Sequence, residues 1–355
     1  MTSTPSEPRR VAAGRLEEFI AQAFRTVGVP PDDAGTIAQL MTRIDLRGLD
    51  GHGVFRLPQY IQRIKAGGIN AEPKIRIARE TESTALLDGD NAVGHLAVRE
   101  AARVAMDKAE KCGVAWVDTN NSNHAGAASV YAMMPLERDM IGLYVAVGSA
   151  NHLPPWGGIE MLLSTNPFAC AIPGLEEPPI VLDMATTVAS YGKVKMAALH
   201  GGQMPEGWMI DAEGNPLTDP KRADEGFLLP IGGYKGYGLA LIFGILAGTL
   251  NGAAMGRDVI DFNKDQETPA NTGQFIIALD IKVFAEVEAF KRNVDGVIRT
   301  MRESPTLPGV DRIRVPGEQS GEKWKQRNRD GIPIPDTLLA KLDQLADELK
   351  IGTLV

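Results

Sequence analysis

The amino-acid sequence predicts an α/β protein with a helical N-terminal region, and three observations carry that prediction. Between Val11 and Ala38, the residues Leu16, Phe19, Ile20, Ala23, Phe24 and Val27 recur at three- and four-residue spacing, the period of an amphipathic helix. Farther on, short runs rich in branched residues lie between Gly, Pro and Asn, the punctuation of strands. No Gly-x-Gly-x-x-Gly follows any of those runs, so the pattern is not that of a standard Rossmann domain.

The elements follow in order. Met1 to Arg10 is polar, carries Pro5 and Pro8, lacks the apolar stretch of a signal peptide and is expected to be a frayed arm. The first helix is interrupted at Gly28, Pro30 and Pro31. A second begins near Asp32 and runs toward Leu46, and a third carries Arg56, Tyr60 and Ile64 on one side until Gly67 and Gly68 end it. Strand-like pieces at Ile75 to Ala78 and Thr84 to Asp88 precede a helix from Leu96 to Cys112 and a strand from Val114 to Val117. Leu143 to Val147, Phe168 to Ile172 and Ile180 to Met184 read as strands of one sheet, which resumes at Gln274 to Asp280. Within the polar segment Pro205 to Glu225, Asp211 to Asn215 is a hairpin turn. The apolar run Gly238 to Leu250 falls short of the roughly 20 residues that cross a bilayer and reads as a buried helix. Phe284 to Arg302 and Thr337 to Leu349 are helix-like.

With 37 basic and 45 acidic side chains the net charge is −8, which argues against nucleic acid as the main partner, because phosphates demand a concentrated basic face. Two cysteines, Cys112 and Cys170, are too few for a disulfide framework and fit a reducing, cytoplasmic compartment. Neither His-Glu-x-x-His nor a Cys pair at metal spacing occurs, so no metal is expected, and Gly192-Lys193 lacks the rest of a phosphate-binding Walker loop.

Chemistry concentrates in Gly- and Asn-rich surroundings. In DLRGLDGHGVFRLPQY, His52 lies between Gly51 and Gly53, four residues before Arg56, a spacing that shares one helical face. An imidazole exchanges protons near neutral pH and a guanidinium grips a carboxylate through two hydrogen bonds, so the pair suits a 2-hydroxy or 2-keto acid. The alternative is that His52 caps a turn and Arg56 pairs with a surface acid. In NNSNHAGAASVY, His124 precedes a helix-like stretch whose free N–H groups suit an anion or phosphate, unless the segment is an Asn-rich capping loop. Ser149 to Pro173 reads as a binding loop, Asp183 stands at a strand end, and Lys235 just before a helix could hold a pyrophosphate.

Taken in order, RGLDGHGVFRLPQY, NSNHAG, STNPFA, LDMAT, YKGYGLAL with LAGTLNGA, and PGE resemble the type 2 malate/L-lactate dehydrogenase family. That family also contains ureidoglycolate, sulfolactate and diketogulonate oxidoreductases and a cyclic-imine reductase. The resemblance implies a non-Rossmann NAD(P)-binding fold around a large mixed, mainly antiparallel sheet. It implies that His52 gives the proton to the substrate carbonyl, Arg56 holds the carboxylate and Thr165 touches the substrate. His124, Ser149, Asp183, Met184, Ala185, Lys235, Pro316, Gly317 and Glu318 match positions that line the cofactor, and in some members the histidine matching His124 is the acid/base. One departure stands out: the residue before the catalytic histidine is commonly Ser in this family, and here it is Gly51.

The expected activity is hydride transfer between a nicotinamide cofactor, NAD favoured over NADP, and C2 of a small 2-hydroxy/2-keto carboxylic acid. Reduction of a cyclic imino acid and a catalytically silent cofactor-binding protein are the alternatives. The expected assembly is a homodimer without membrane or nucleic-acid partners. A helical domain over 1–76, completed by 316–355, is expected beside an NAD(P)-binding and substrate domain over 77–315.

Overall fold

Turn-forming residues cut the branched and aromatic runs into short strands around one long central one. The computed structural model describes residues 8–199 and 201–355. Its strands are β1 (Arg9–Val11), β2 (Arg76–Glu80), β3 (Thr84–Asp88), β4 (Val114–Ser122), β5 (Met140–Ala146), β6 (Asn151–Leu153), β7 (Leu163–Ser164), β8 (Phe168–Ile172), β9 (Ile180–Met184), β10 (Met209–Asp211), β11 (Gly226–Leu228), β12 (Thr272–Asp280) and β13 (Ile332–Ile334). The helices are α1 (Ala13–Thr26), α2 (Pro31–Leu46), α3 (Leu57–Lys65), α4 (Gly94–Cys112), α5 (Ser129–Ala132), α6 (Tyr191–Leu199), α7 (Tyr234–Ala247), α8 (Val287–Glu303), α9 (Glu318–Asp330) and α10 (Asp336–Leu349).

Seven strands form one sheet in the order β2-β3-β4-β12-β5-β8-β9. Only β3 and β4 run parallel, and α4 makes the crossover that a parallel pair requires. The other neighbours are antiparallel, so the sheet is mixed and mainly antiparallel, as the family resemblance implies. On one face α4 presents Val98, Ala101, Ala102, Ala105 and Ala109 to Val117, Ile276 and Ala278. On the other, Val145, Val147 and Phe275 pack against Ala247 of α7. Small side chains let α4 approach closely. A Cβ on Gly94 at its start would lie 2.1 Å from the Asn123 carbonyl oxygen, so only glycine allows this contact, which sets the next residue, His95, against the NSNHAG segment.

A second core joins distant parts of the chain. Leu16, Phe19, Ile20 and Phe24 of α1, Ile37 and Met41 of α2, and Tyr60 and Ile61 of α3 pack with Leu339, Leu342 and Leu345 of α10. Arg9–Val11 pairs antiparallel with Ile332–Ile334, which corrects the expected frayed arm as far as residues 9 and 10; the rest of that arm, up to residue 7, lies outside the described residues.

Helix α7 corrects the reading of a buried helix. Gly236, Ala240, Gly244 and Ala247 form its buried stripe, while Leu239, Ile242 and Ile245 are exposed. The stripe consists of small residues because neighbours crowd it: a Cβ on Gly244 would lie 2.5 Å from the Met255 methyl carbon. Leu239, Ile242 and Ile245 therefore face outward, while Leu241, Phe243 and Leu246 pack along the flanks of the stripe.

Candidate active site

The His52 turn is built from below by Asp45, a buried residue near the end of α2. Its carboxylate accepts the Val54 N–H at 2.8 Å, and burial raises its pKa well above the carboxylate range. A Cβ on Gly53 would lie 2.1 Å from Asp45 Oδ1, so glycine is required there. From α9, Arg327 donates to the Asp45 carbonyl at 2.5 Å and pairs with the Asp50 carboxylate. His52 and Arg56 are not on one α-helical face, contrary to the spacing argument. His52 lies in a turn and Arg56 ends the 3₁₀ turn Val54–Arg56. They are neighbours because the chain folds back, with Arg56 Nε donating to the Gly51 carbonyl at 3.0 Å.

The structure brings the two histidines together. The His52 and His124 rings stack with centroids 5.7 Å apart and planes 18° apart. Tyr60 Oη lies 2.5 Å from His124 Nδ1, and Phe262 closes the side, 5.4 Å from His124 and 5.5 Å from Tyr60. His95 stands edge-on to Tyr60 at 5.4 Å, fully buried, with neither ring nitrogen hydrogen-bonded among the described residues. Burial, and after it the Arg56 charge, lowers the His52 pKa to about 4. The same two causes, followed by the neighbouring imidazoles, put His124 well below its usual value, and burial raises the Tyr60 hydroxyl. Both imidazoles are therefore neutral at pH 7. Among the described residues His52 Nδ1 is buried without a partner, and nothing stands within 4 Å of where a Cβ on Gly51 would be.

Beside the imidazoles lies a cationic corner that the sequence did not reveal. Arg56 Nη1 donates to Asn263 Oδ1 at 3.0 Å and Lys195 Nζ to the same oxygen at 3.3 Å. His152 stacks on Tyr191 at 4.1 Å, and Lys195 Nζ lies 5.5 Å from the Tyr191 ring centre. Tyr60 was legible only as sharing a side with Arg56. Lys195 and Asn263 come from separate segments that no local spacing marks, whereas His152 lies in the expected binding loop Ser149 to Pro173. His200, the fifth histidine, lies outside the described residues.

The remaining candidates fall elsewhere. The helix expected after His124 is only four residues long, and its first N–H, on Ser129, donates to the Asp183 carboxylate at 2.9 Å. The anion at that helix start is thus an internal carboxylate rather than a phosphate. Asp183 stands one residue from the end of β9, followed by half-buried Met184 and Ala185, and burial raises its pKa. Both the N–H and the hydroxyl of Thr186 donate to the Thr165 carbonyl, which ties the STNPFA turn to that strand end. The Ser149 carbonyl accepts the Phe262 N–H at 2.9 Å. The Pro316 carbonyl accepts the Val181 N–H at 3.0 Å, and a Cβ on Gly317 would lie 2.8 Å from that of Val181, so the PGE loop lies against β9. The Glu318 carboxylate is already held by Arg302 and Arg312.

Lys235 is exposed as the second residue of α7, behind Gly232 and Gly233 at φ +56° and +64°, and makes no ion pair among the described residues. A free ammonium at a helix N-terminus fits the anionic linkage of a dinucleotide. Among the described residues no group of three His, Cys, Asp or Glu could hold a metal ion, and no helix is long and apolar enough to cross a membrane.

A family model described as malate/L-lactate dehydrogenase matches residues 11–343. The malate dehydrogenase of Pyrococcus horikoshii is 37% identical over 350 residues, 96% of each chain. The L-sulfolactate dehydrogenase of Methanocaldococcus jannaschii is 37% identical over 336 residues, 95% of this chain and 96% of that one. The solved structure of the Pyrococcus horikoshii malate dehydrogenase matches with a TM-score of 0.90 at 35% identity over 99% of both chains. Fold and matches together define a nicotinamide-dependent oxidoreductase that transfers hydride to or from hydroxy acids. The chain belongs to the malate/L-lactate dehydrogenase family.

Proposed function

We propose that His52 exchanges the proton on the substrate oxygen while Arg56 holds the adjacent carboxylate and Thr165 touches the substrate. The observation that carries this reading is the stacked, neutral His52–His124 pair directly beside an arginine with no acidic partner among the described residues. When bound, the nicotinamide supplies hydride to C2 or takes it away. For oxidation of a hydroxy acid, neutral His52 accepts the hydroxyl proton as the hydride leaves. For reduction it must first gain a proton, and a substrate carboxylate on Arg56 offsets the positive charge that helps keep His52 neutral. Phe262 packs its apolar ring against His124, and the low local dielectric of that contact strengthens the nearby electrostatic interactions.

His124, Ser149, Asp183, Met184, Ala185, Lys235 and the Pro316–Gly317–Glu318 loop are proposed to line the cofactor, with NAD favoured over NADP. Lys235 suits its phosphates, and the Arg302 and Arg312 pairing of Glu318 makes that side chain a brace for the loop. A second reading has its own support. If Tyr60 donates to His124 Nδ1, the His124 proton sits on Nε2, ready to serve a substrate oxygen, and His124 becomes the acid/base. We further propose a cytoplasmic homodimer using the exposed α7 face. Its helical domain spans 1–76 with 316–355, and 77–315 forms the NAD(P)-binding and substrate domain.

The test is a set of three variants assayed for turnover and cofactor affinity with 2-keto acids and with neutral ketones. His52→Ala is expected to lose at least about 10²-fold in turnover with cofactor affinity nearly unchanged, and His124→Ala to weaken the cofactor chiefly. The reverse pattern transfers the proton to His124. Arg56→Lys is expected to lose roughly 2–4 kcal/mol in kcat/KM for acids only, because an ammonium lacks the planar fork. An equal loss with neutral ketones makes Arg56 a structural residue.

A further inference from the structure

The corner formed by Arg56, Lys195 and Asn263 holds more positive charge than one carboxylate needs. Two cations converge on one neutral amide oxygen, at 3.0 and 3.3 Å, and neither makes an ion pair among the described residues. Bringing like charges together around an amide is unfavourable in a half-buried setting, since Coulomb repulsion grows as the local dielectric falls. Asp261 is one of two acids whose charge reaches Lys195, and it is engaged in orienting Asn263. Its Oδ1 accepts the Asn263 N–H at 2.9 Å and Nδ2 at 3.2 Å, which turns the amide oxygen toward the cations. Asp224 accepts the Tyr191 hydroxyl at 3.1 Å. Desolvation, and after it the Arg56 charge, lowers the Lys195 pKa, as expected for an ammonium held near a second cation without a bound anion.

Lys195 is also held in place. It lies one helical turn after Tyr191 in α6, with its ammonium near that ring, and His152 stacks on the ring. The Asn263 oxygen thus stands where an anionic oxygen would be gripped from both sides. Resting on the reading that Arg56 takes the carboxylate beside the reacting carbon, we propose that Lys195 is a specificity-determining residue. It receives a second anionic group, a carboxylate or sulfonate at the far end of a short 2-oxo or 2-hydroxy acid, and selects dianionic substrates over monoanionic ones.

The experiment compares kcat/KM for oxaloacetate and 3-sulfopyruvate with that for 2-oxobutanoate, which carries a methyl group in place of the far anion. The full-length protein is assayed with NADH and NADPH. The wild type is expected to favour the dianions by about tenfold or more, and Lys195→Met to reduce that ratio at least about tenfold. Lys195→Arg is expected to keep the ratio within about threefold, because it retains the charge. A stronger effect with one dianion than the other tells whether carboxylate or sulfonate is the better fit. Turnover of 2-oxobutanoate by each variant reports that it has folded. Equal use of all three acids by the wild type, or a proportionate loss on all three in Lys195→Met, overturns the proposal and leaves hydride transfer standing. Failure to reduce any of them with either cofactor removes the reading on which the proposal rests.

Discussion

His95 makes acid stability a sharp measure of how the active site is built. Its ring is completely buried against Tyr60, with neither nitrogen hydrogen-bonded, and burial lowers its pKa from 6.5 to about 3. The folded protein therefore resists protonation there, while the unfolded chain binds a proton below pH 6.5. Stability from this group is complete above pH 6.5 and is lost as pH falls from 6.5 toward 3. The loss grows by about 1.4 kcal/mol per pH unit and reaches about 2.7 kcal/mol at pH 4.5. His95→Leu removes this site and leaves His52 and His124, whose pKa values are also lowered. Leucine leaves no unpaired ring nitrogen, so stability at pH 7.5 is expected to change by no more than about 1 kcal/mol. Urea unfolding from pH 7.5 to 4.5 measures the slope directly. Below pH 6.5 the variant's slope should be shallower by about 1.4 kcal/mol per pH unit, one proton fewer taken up on unfolding, while between pH 7.5 and 6.5 the two should run nearly parallel. Parallel lines for the two proteins would show that His95 is protonated or solvated in the folded state and would refute the reasoning.

Three further outcomes are expected. Gly51→Ser meets open space at a position without positive φ, beside the unpartnered His52 Nδ1, so stability should shift by less than about 0.5 kcal/mol and kcat/KM should not fall. A loss of activity beyond about threefold would mean that the turn has no room. Lys235→Ala should raise the cofactor dissociation constant, most strongly at low salt, and an unchanged constant there excludes an ammonium–phosphate contact. Sedimentation at micromolar concentration should show a dimer that Ile242→Glu dissociates without loss of helicity. A single 38.1 kDa species for the wild type would contradict the homodimer.

Local pattern decided what could be read in advance. β12, β8 and β9 announce themselves because branched residues lie between turn formers, and α4 because its apolar residues keep helical spacing over nineteen positions. His52, Arg56 and His124 were visible because glycine and asparagine surround them in recognisable strings. Lys195 and Asn263 were not, since they meet Arg56 only through tertiary folding and neither has a marked neighbourhood. β1 and β13 are three residues each and pair across almost the whole chain, beyond the reach of periodicity. Helix α7 misled for a different reason. A run apolar on every side gives no phase, so the sequence could not say which side a stripe of glycine and alanine would turn inward.

The shared packing of α1, α2 and α3 with β13 and α10 has a consequence for biosynthesis. On a ribosome making roughly 5–20 residues per second, the first helices wait on the order of 15 s to a minute before their partners emerge. Until then Phe19, Ile20, Phe24 and Ile37 have no lasting cover, and they are natural ligands for a chaperone that holds nascent chains. The His52 turn waits as well, because Arg327, which holds the Asp45 carbonyl and the Asp50 carboxylate, is made 282 residues after Asp45. A chain stalled after the sheet has formed would carry all seven strands of that sheet without its proton-transfer loop in place. Activity recovered during translation should therefore appear late and abruptly rather than in proportion to length.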